Sequence, residues 1–200
     1  MYRVNELLGK MAINQASGER IAPVRDVVLS GDTRSIVALI TGTGGLFSAE
    51  QVIPWSAIVS LGDVIVVDGA SPLGTVKENA EVAGLRKQSF QITGAAVISA
   101  TGEKIGTVSD MMADTDGAIL GFTVKQGLLA NLMGTRFLPI EQVQTVGKDA
   151  IITTITELMS LREYTDIGAP VASAPATETP APETHVPSAP RPLELPSDKA

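Results

Sequence analysis

The chain has 200 residues, is 44% hydrophobic and carries a formal net charge of −7. An acidic chain without a basic cluster is a poor candidate for direct binding to DNA or RNA. Cysteine is absent, which excludes disulfides, thiolate catalysis and sulfur-ligated metal sites.

Short strands separated by turns are predicted along the first part of the chain. The predicted strands are residues 10–13, 20–29, 35–41, 46–53 and 64–67, with a helical turn at 56–58. Ser30-Gly31-Asp32-Thr33 has the composition of a hairpin turn. Short strands at this spacing, joined by glycine and aspartate turns, predict a small antiparallel barrel.

A weaker pattern follows before the strands resume. Residues 71–89 are predicted to be a linker with one helical turn that ends at Gly84. Further strands are predicted at 95–99, 104–113, 118–126, 135–140 and 150–154. An amphipathic helix is predicted at 156–164, with Leu158, Leu161 and Tyr164 on its inner face.

The second set of strands repeats the first. Three pairs of matching positions show the repeat: Gly18 and Gly102, Pro54 and Pro139, and Asp63 and Asp149. Their offsets are 84, 85 and 86 residues (102 − 18, 139 − 54 and 149 − 63), a drift that single insertions in turns explain. The chain is therefore predicted to contain two copies of one small fold.

These motifs resemble the PRC-barrel family. This is the small β-barrel of the cytoplasmic domain of the photosynthetic reaction-centre H subunit and of the C-terminal domain of the bacterial ribosome maturation factor. The resemblance is carried by Gly18-Glu19-Arg20-Ile21 and Val52-Ile53-Pro54-Trp55, and in the second copy by Gly102-Glu103-Lys104-Ile105 and Phe137-Leu138-Pro139-Ile140. It implies an all-β fold of two tandem PRC-type barrels and a role as an interaction module. The family has no common catalytic residues, so the resemblance implies no activity.

Four regions are predicted from the repeat and the composition. They are a first barrel at 1–70, a linker at 71–89, a second barrel with a short C-terminal helix at 90–165, and a disordered Pro/Ala/Thr/Glu-rich tail at 166–200. No apolar run is long enough to span a membrane, and the N-terminus lacks an apolar signal core. We therefore expect a cytoplasmic protein.

Residues suited to catalysis are sparse. His185 is the one histidine and lies in the predicted tail, which excludes a Ser-His-Asp arrangement in the barrels. Asp26 and Asp110 occupy equivalent places, and we interpret each as an anchor for its own backbone, the alternative being a cation site or an acid–base pair. Thr41-Gly42-Thr43-Gly44-Gly45 is interpreted as a turn, the alternative being an anion-binding nest. A phosphate-binding loop would be followed by a helix and usually contain a lysine, whereas this segment leads into a predicted strand. The protein is predicted not to be an enzyme, with no catalytic residue, metal site or cofactor.

Two features are candidates for contact with a partner. Leu128, Leu129, Leu132 and Met133 lie in a glycine-bounded loop and would expose an apolar patch unless the first barrel or another chain covers it. Trp55 is the one tryptophan, and it is either a contact for a partner or a packing residue in the core or at the junction of the barrels. The predicted partner is a protein of unknown identity, and the chain is expected to be a monomer or a weak homodimer.

Three functions are consistent with these features. The first is a non-enzymatic adaptor that mediates protein–protein interaction in a larger assembly. The second is a small-molecule or metal-binding regulator with a site between the barrels, because domain junctions favour pockets. The third is a ribosome-maturation accessory that contacts a ribosomal protein, which follows from the resemblance alone.

Overall fold

The computed structural model describes residues 1–42, 50–69, 74–88, 92–127 and 135–167. The first half contains β1 (Tyr2–Arg3), β2 (Met11–Asn14), β3 (Arg20–Leu29), β4 (Ile36–Thr41), β5 (Gln51–Pro54), β6 (Ile58–Leu61), β7 (Ile65–Val67), β8 (Gly74–Thr75) and α1 (Ala80–Gln88). The second half contains β9 (Ala96–Ile98), β10 (Lys104–Ala113), β11 (Ile119–Lys125), β12 (Arg136–Pro139), β13 (Val143–Val146), β14 (Ala150–Thr153), β15 (Met159–Ser160) and α2 (Leu161–Asp166). Short 3-10 turns lie at Val4–Leu7, Trp55–Ala57 and Ile140–Gln142.

The two halves have the same strand order. The first sheet runs β6-β7-β2-β3-β4-β5-β8 and the second runs β13-β14-β9-β10-β11-β12-β15, with β1 added beside β10. This confirms the predicted all-β fold of two tandem barrels. Each sheet also contains one parallel pair, β2 with β7 and β9 with β14, so the end of each unit returns beside its beginning.

A β-bulge occurs at the same place in the central strand of each barrel. In β3 the register shifts between Val24 and Asp26, and in β10 it shifts between Val108 and Asp110. A bulge bends its strand and increases the local twist, which helps a sheet to curl into a barrel. The duplication therefore extends to irregularities of the backbone as well as to the order of strands.

One hydrophobic core runs through both barrels. It joins Leu39 and Ile53 of the first unit to Phe122, Leu138 and the other buried apolar residues of the second. A smaller cluster lies under each helix. Beneath α1 it consists of Val28, Ala38, Ile40, Val52 and Val82, and around α2 it consists of Met112, Leu120, Phe137 and Tyr164. Each helix therefore covers the outer face of its own sheet.

The helices depart from the predicted boundaries. The chain continues through Gly84 in α1, which runs from Ala80 to Gln88, so the predicted stop at Gly84 is wrong. The helix predicted at 156–164 begins only at Leu161, because Ser160 and Glu163 form a capping box there. Leu158 and Tyr164 are buried, as predicted, and Leu161 is partly buried.

No helix in the described part of the chain has the length and hydrophobicity needed to cross a bilayer.

Candidate functional site at the junction of the two barrels

The two barrels meet through a reciprocal pair of backbone hydrogen bonds. The Ile36 N–H donates to the Gly117 carbonyl, and the Ile119 N–H donates to the Arg34 carbonyl, both at 2.8 Å. Ile36 and Ile119 are equivalent, since each opens the second strand of a hairpin in the same register. Equivalent groups that contact each other reciprocally define an approximate two-fold axis, as in a symmetric dimer.

The N-terminal segment crosses from the first unit to the second barrel. Tyr2 and Arg3 of β1 pair with Ala113 and Met112 of β10. The Asn5 N–H then donates to Asp110 Oδ1 at 3.1 Å. The segment therefore holds the two barrels together by strand pairing and by a hydrogen bond to a carboxylate.

Helix α1, which precedes the second unit, makes the corresponding contact with the first barrel. Arg86 Nε lies 3.0 Å from Asp26 Oδ2, and its two terminal nitrogens bind both carboxylate oxygens of Glu50. The bound guanidinium lowers the pKa of Glu50, and Glu50, followed by Asp26, raises the pKa of Arg86. Asp26 of the first unit therefore accepts a hydrogen bond from the helix that leads into the second unit. Asp110, its equivalent in the second unit, accepts one from the N-terminal segment that leads into the first.

Both aspartates also anchor their own bulges. Asp26 Oδ1 accepts the Val27 N–H at 2.9 Å, and Asp110 Oδ1 accepts the Met111 N–H at 2.7 Å. This confirms the interpretation of the pair as backbone anchors. Burial raises the pKa of the Asp110 carboxyl, against the opposing effect of the hydrogen bonds from Asn5 and Met111. Glu19 and Glu103, the other equivalent acids, lie in the turns before β3 and β10.

Trp55 lies at the junction. Its ring stacks against Tyr2, with ring centroids 6.2 Å apart and an angle of 19° between the planes. Gly117 is so close that a Cβ atom there would lie 2.5 Å from the indole Nε1. Trp55 therefore contacts both the N-terminal segment and the β10–β11 turn, and its role as a contact for a partner stays a prediction.

The other predicted contacts lie outside the described residues. These are Leu128, Leu129, Leu132 and Met133. A shallow groove of about 630 Å³ is lined by residues 104–107 and 125–127, and the latter come immediately before Leu128 in the chain. Of the glycine-rich turn after β4, the structure describes only Thr41 and Gly42, and His185 also lies outside the described ranges.

A second pocket, an open cleft of about 560 Å³, lies between the barrels. We call it the junction cleft. Its lining residues are Val4, Asn5, Leu8, Asp26, Val27, Leu29, Arg86, Ile92, Thr93 and Met111. They come from five stretches of the chain, so no local pattern could have identified them. The volume falls within the range of ordinary ligand sites.

The junction cleft is lined by groups that suit binding. In residues 1–42, 50–69, 74–88, 92–127 and 135–167, no group of three or more His, Asp or Glu side chains is placed to hold a metal ion. The junction cleft offers apolar side chains, an amide, a hydroxyl and an ion pair. These groups can bind and orient a partner through burial and hydrogen bonding.

Comparison with known proteins agrees with the geometry. The PRC-barrel domain profile matches residues 1–73 and 88–159, and so covers both halves. A search of curated proteins finds no match to the chain.

Proposed function

The chain belongs to the PRC-barrel family, and from this premise we propose that it is a non-enzymatic adaptor for protein–protein interaction in a larger assembly. The two barrels act as one body and present their loops in a fixed relative arrangement. The proposed binding residues are Trp55, Leu128, Leu129, Leu132 and Met133. The adaptor acts as a monomer or a weak homodimer in the cytoplasm.

The continuous core supports this proposal most directly. Buried residues of both barrels, among them Leu39, Ile53, Phe122 and Leu138, pack into one cluster. Two barrels joined in this way lose little freedom when a partner binds, because their relative position is already fixed. Preorganised surfaces bind with a smaller entropic cost than surfaces on flexible tethers.

Site-directed photo-crosslinking in cells tests the adaptor function. A photoreactive amino acid at position 129 of the full chain is expected to capture a reproducible protein partner. A double variant, Leu128→Asp and Leu132→Asp, should lose that capture, because charge disrupts apolar docking. Val59 is a matched control, since it is 51% exposed on β6, and Val59→Asp should leave capture unchanged. Identical capture by the double variant and the wild type would contradict the proposed role of the loop.

The junction cleft favours a second candidate function, regulation by a bound small molecule. Thermal-shift measurements against nucleotides, tetrapyrroles and divalent cations separate this function from an adaptor role. A ligand at about 100 times its dissociation constant should add roughly 2.7 kcal/mol to the free energy of unfolding. Stabilisation that Leu8→Arg abolishes would favour the regulator, because Leu8 lines the cleft.

A further inference from the structure

We propose that the groove lined by residues 104–107 and 125–127 binds the acidic stretch of the chain's own C-terminal tail, around Glu178 and Glu183. We call it the lysine groove. The contact is made within one molecule and so goes beyond the proposed adaptor function. Because residues 125–127 come immediately before Leu128, a docked tail would compete with a partner at the proposed binding loop, a consequence that rests on the adaptor function.

The charges of the lysine groove favour an acidic ligand. Its two charged lining residues are Lys104 and Lys125, and both are exposed. In the part of the chain that the structure describes, the ion pairs belong to Arg86, so neither lysine is neutralised by a carboxylate. Glu103 is exposed in the turn before β10 and does not line the groove. Two positive charges on a chain of net charge −7 attract a segment with two negative charges.

Close packing of strands fixes the backbone of the lysine groove. A Cβ atom on Gly106 would lie 2.3 Å from Val124 Cγ1 and 2.8 Å from the Lys125 carbonyl oxygen, so β10 and β11 approach each other closely here. The Gln126 side-chain amide donates to the Ile105 carbonyl at 3.1 Å and holds the chain that leaves β11. The two lysines therefore project from a fixed frame, which lowers the entropic cost of binding a segment between them.

One stretch of the tail has the matching charge. Residues 168–190 contain Glu178 and Glu183 and neither lysine nor arginine. Residues 191–200 contain two acids and two bases, which balance each other. The first stretch therefore offers two uncompensated carboxylates, and the second offers no net charge to the groove.

The tail also starts close enough to reach the groove. The N–H of Leu161, the first residue of α2, donates to the Thr135 carbonyl at the start of β12, and β12 lies beside β11, whose last residue is Lys125. Three strand spacings, about 14 Å, separate β15 from β10, and α2 adds at most about 9 Å. The 11 residues from Ile167 to Glu178 (178 − 167) can span about 36 Å. Such a tether gives an effective concentration on the order of 1 mM, so even a weak contact is well occupied.

Paramagnetic relaxation enhancement in the full chain tests the contact. Cysteine is absent from the chain, so Ala181→Cys provides a single position for a nitroxide spin label between the two glutamates. We expect the label to cause a loss of amide NMR signal at residues 105–107 and 125–127, because a docked tail brings it close to them. The loss should diminish as salt is added, since exposed charges are screened. Undiminished signals at low salt would overturn the inference.

A pair of lysine substitutions locates the contact on the barrel. Lys104→Gln combined with Lys125→Gln should restore the signals, because both positive charges of the groove are removed. Lys77→Gln combined with Lys148→Gln removes the same charge from two exposed lysines outside the groove and should leave the signal loss unchanged. Unchanged amide spectra away from the substitutions verify that both variants are folded. Equal effects of the two double variants would refute the groove as the site.

A pair of acidic substitutions locates the contact on the tail. Glu178→Gln combined with Glu183→Gln should restore the signals. Glu194→Gln combined with Asp198→Asn removes the same charge from the same tail and should leave the signal loss unchanged. Equal restoration by both would mean that the total charge of the tail, and no particular stretch, governs the contact, against the proposal.

A mixed sample separates the chain's own tail from that of a second copy. Isotope-labelled chain without the spin label is mixed with spin-labelled chain without the isotope. Full signals in this mixture support the intramolecular contact, and signal loss would identify a second copy as the occupant and refute it. Photo-crosslinking at position 129 is an independent measurement. Loop-dependent capture of a partner without any contact of the tail would overturn this inference and leave the adaptor function in place.

Discussion

The two barrels share strand order and register, but at one pair of neighbouring positions the larger and the smaller side chain are exchanged. Ala38 pairs with Pro54 in the first barrel, and Gly121 pairs with Pro139 in the second. A Cβ atom on Gly121 would lie 2.3 Å from the Leu138 carbonyl oxygen and 2.6 Å from Phe137 Cζ. In the first barrel the place of Phe137 is taken by Val52, as the pairing of both residues with the short strands β8 and β15 shows. One topology therefore accommodates two packings when a larger side chain is matched by a smaller one opposite it.

The largest expected effect comes from forcing the second barrel to adopt the packing of the first. Gly121→Ala should lower the free energy of unfolding by about 3 kcal/mol, because the added methyl meets both backbone and a buried ring. Urea denaturation of the full chain measures the change. Phe137→Val is destabilising by itself, because it truncates a fully buried ring, but the double variant should lose less than the sum of the two single losses, because the smaller side chain makes room beside the new methyl. If the double variant were less stable by the sum of both single effects, the proposed exchange of volume would be wrong.

A second expected effect concerns the contact between Trp55 and the β10–β11 turn. Gly117 has a positive φ of 86° and lies against the indole, whereas Gly102 has a φ of 84° and open space around its Cα. Gly117→Ala should lose about 2 kcal/mol from backbone strain and overpacking together, and Gly102→Ala about 1 kcal/mol from strain alone. Because Trp55 is the one tryptophan, its emission should shift only in the Gly117 variant. Equal losses and equal spectra would mean that the ring does not constrain this turn.

A substitution in helix α1 is expected to change the free energy of unfolding by a smaller amount, and to raise it. Helix α1 contains Gly84 in its interior, with open space where a Cβ would be, and α2 contains no glycine. Gly84→Ala should raise the free energy of unfolding by about 0.8 kcal/mol, since alanine restricts the unfolded chain and favours the helix. Thermal denaturation monitored by circular dichroism measures it. Destabilisation instead would show that α1 is strained or bent at this residue.

The smallest expected effects distinguish the two contacts that hold the barrels together. Because the pKa of Glu50 is lowered, its pairing with Arg86 stabilises the fold above the ordinary pKa of a glutamate, and this stabilisation is lost as the pH falls through the folded pKa. Arg86→Gln should therefore cost about 0.5 kcal/mol at neutral pH, a value typical of exposed pairs, and nothing in acid. Because the pKa of Asp110 is raised, its burial destabilises the fold at neutral pH, and this penalty is relieved as the pH falls toward the ordinary value.

Urea midpoints at neutral and acidic pH measure both contributions. Relative to the wild type, Asp110→Asn should be more stable at neutral pH than in acid, whereas Arg86→Gln should show the reverse trend. The asparagine Oδ1 can still accept from the Asn5 and Met111 amides, so the variant changes charge with little change of geometry. Parallel pH profiles for the two variants would contradict the difference between the two contacts.

Local patterns in the sequence predicted most of the fold. The predicted bounds of β3 and β10 agree with the structure, because each strand follows a glycine turn of positive φ and then alternates between buried and more exposed residues. Strands β6 and β13 were missed, because each has two exposed residues in its middle and lacks an alternating pattern. Gly84 misled the helix prediction, since packing of Val82 against the first sheet outweighs the modest helix propensity of one glycine.

Local features of the chain are enough to predict that one β architecture occurs twice, since turn glycines, strand alternation and the repeated Asp and Pro positions are all short-range. How the two copies join is visible only in the folded molecule. Arg86 reaches Asp26 across 60 residues and Glu50 across 36, and Asn5 reaches Asp110 across 105. Contacts at such separations depend on how the barrels fold back on one another. The linear sequence therefore could not predict the junction cleft, the contacts around Trp55 or the close packing around Gly121.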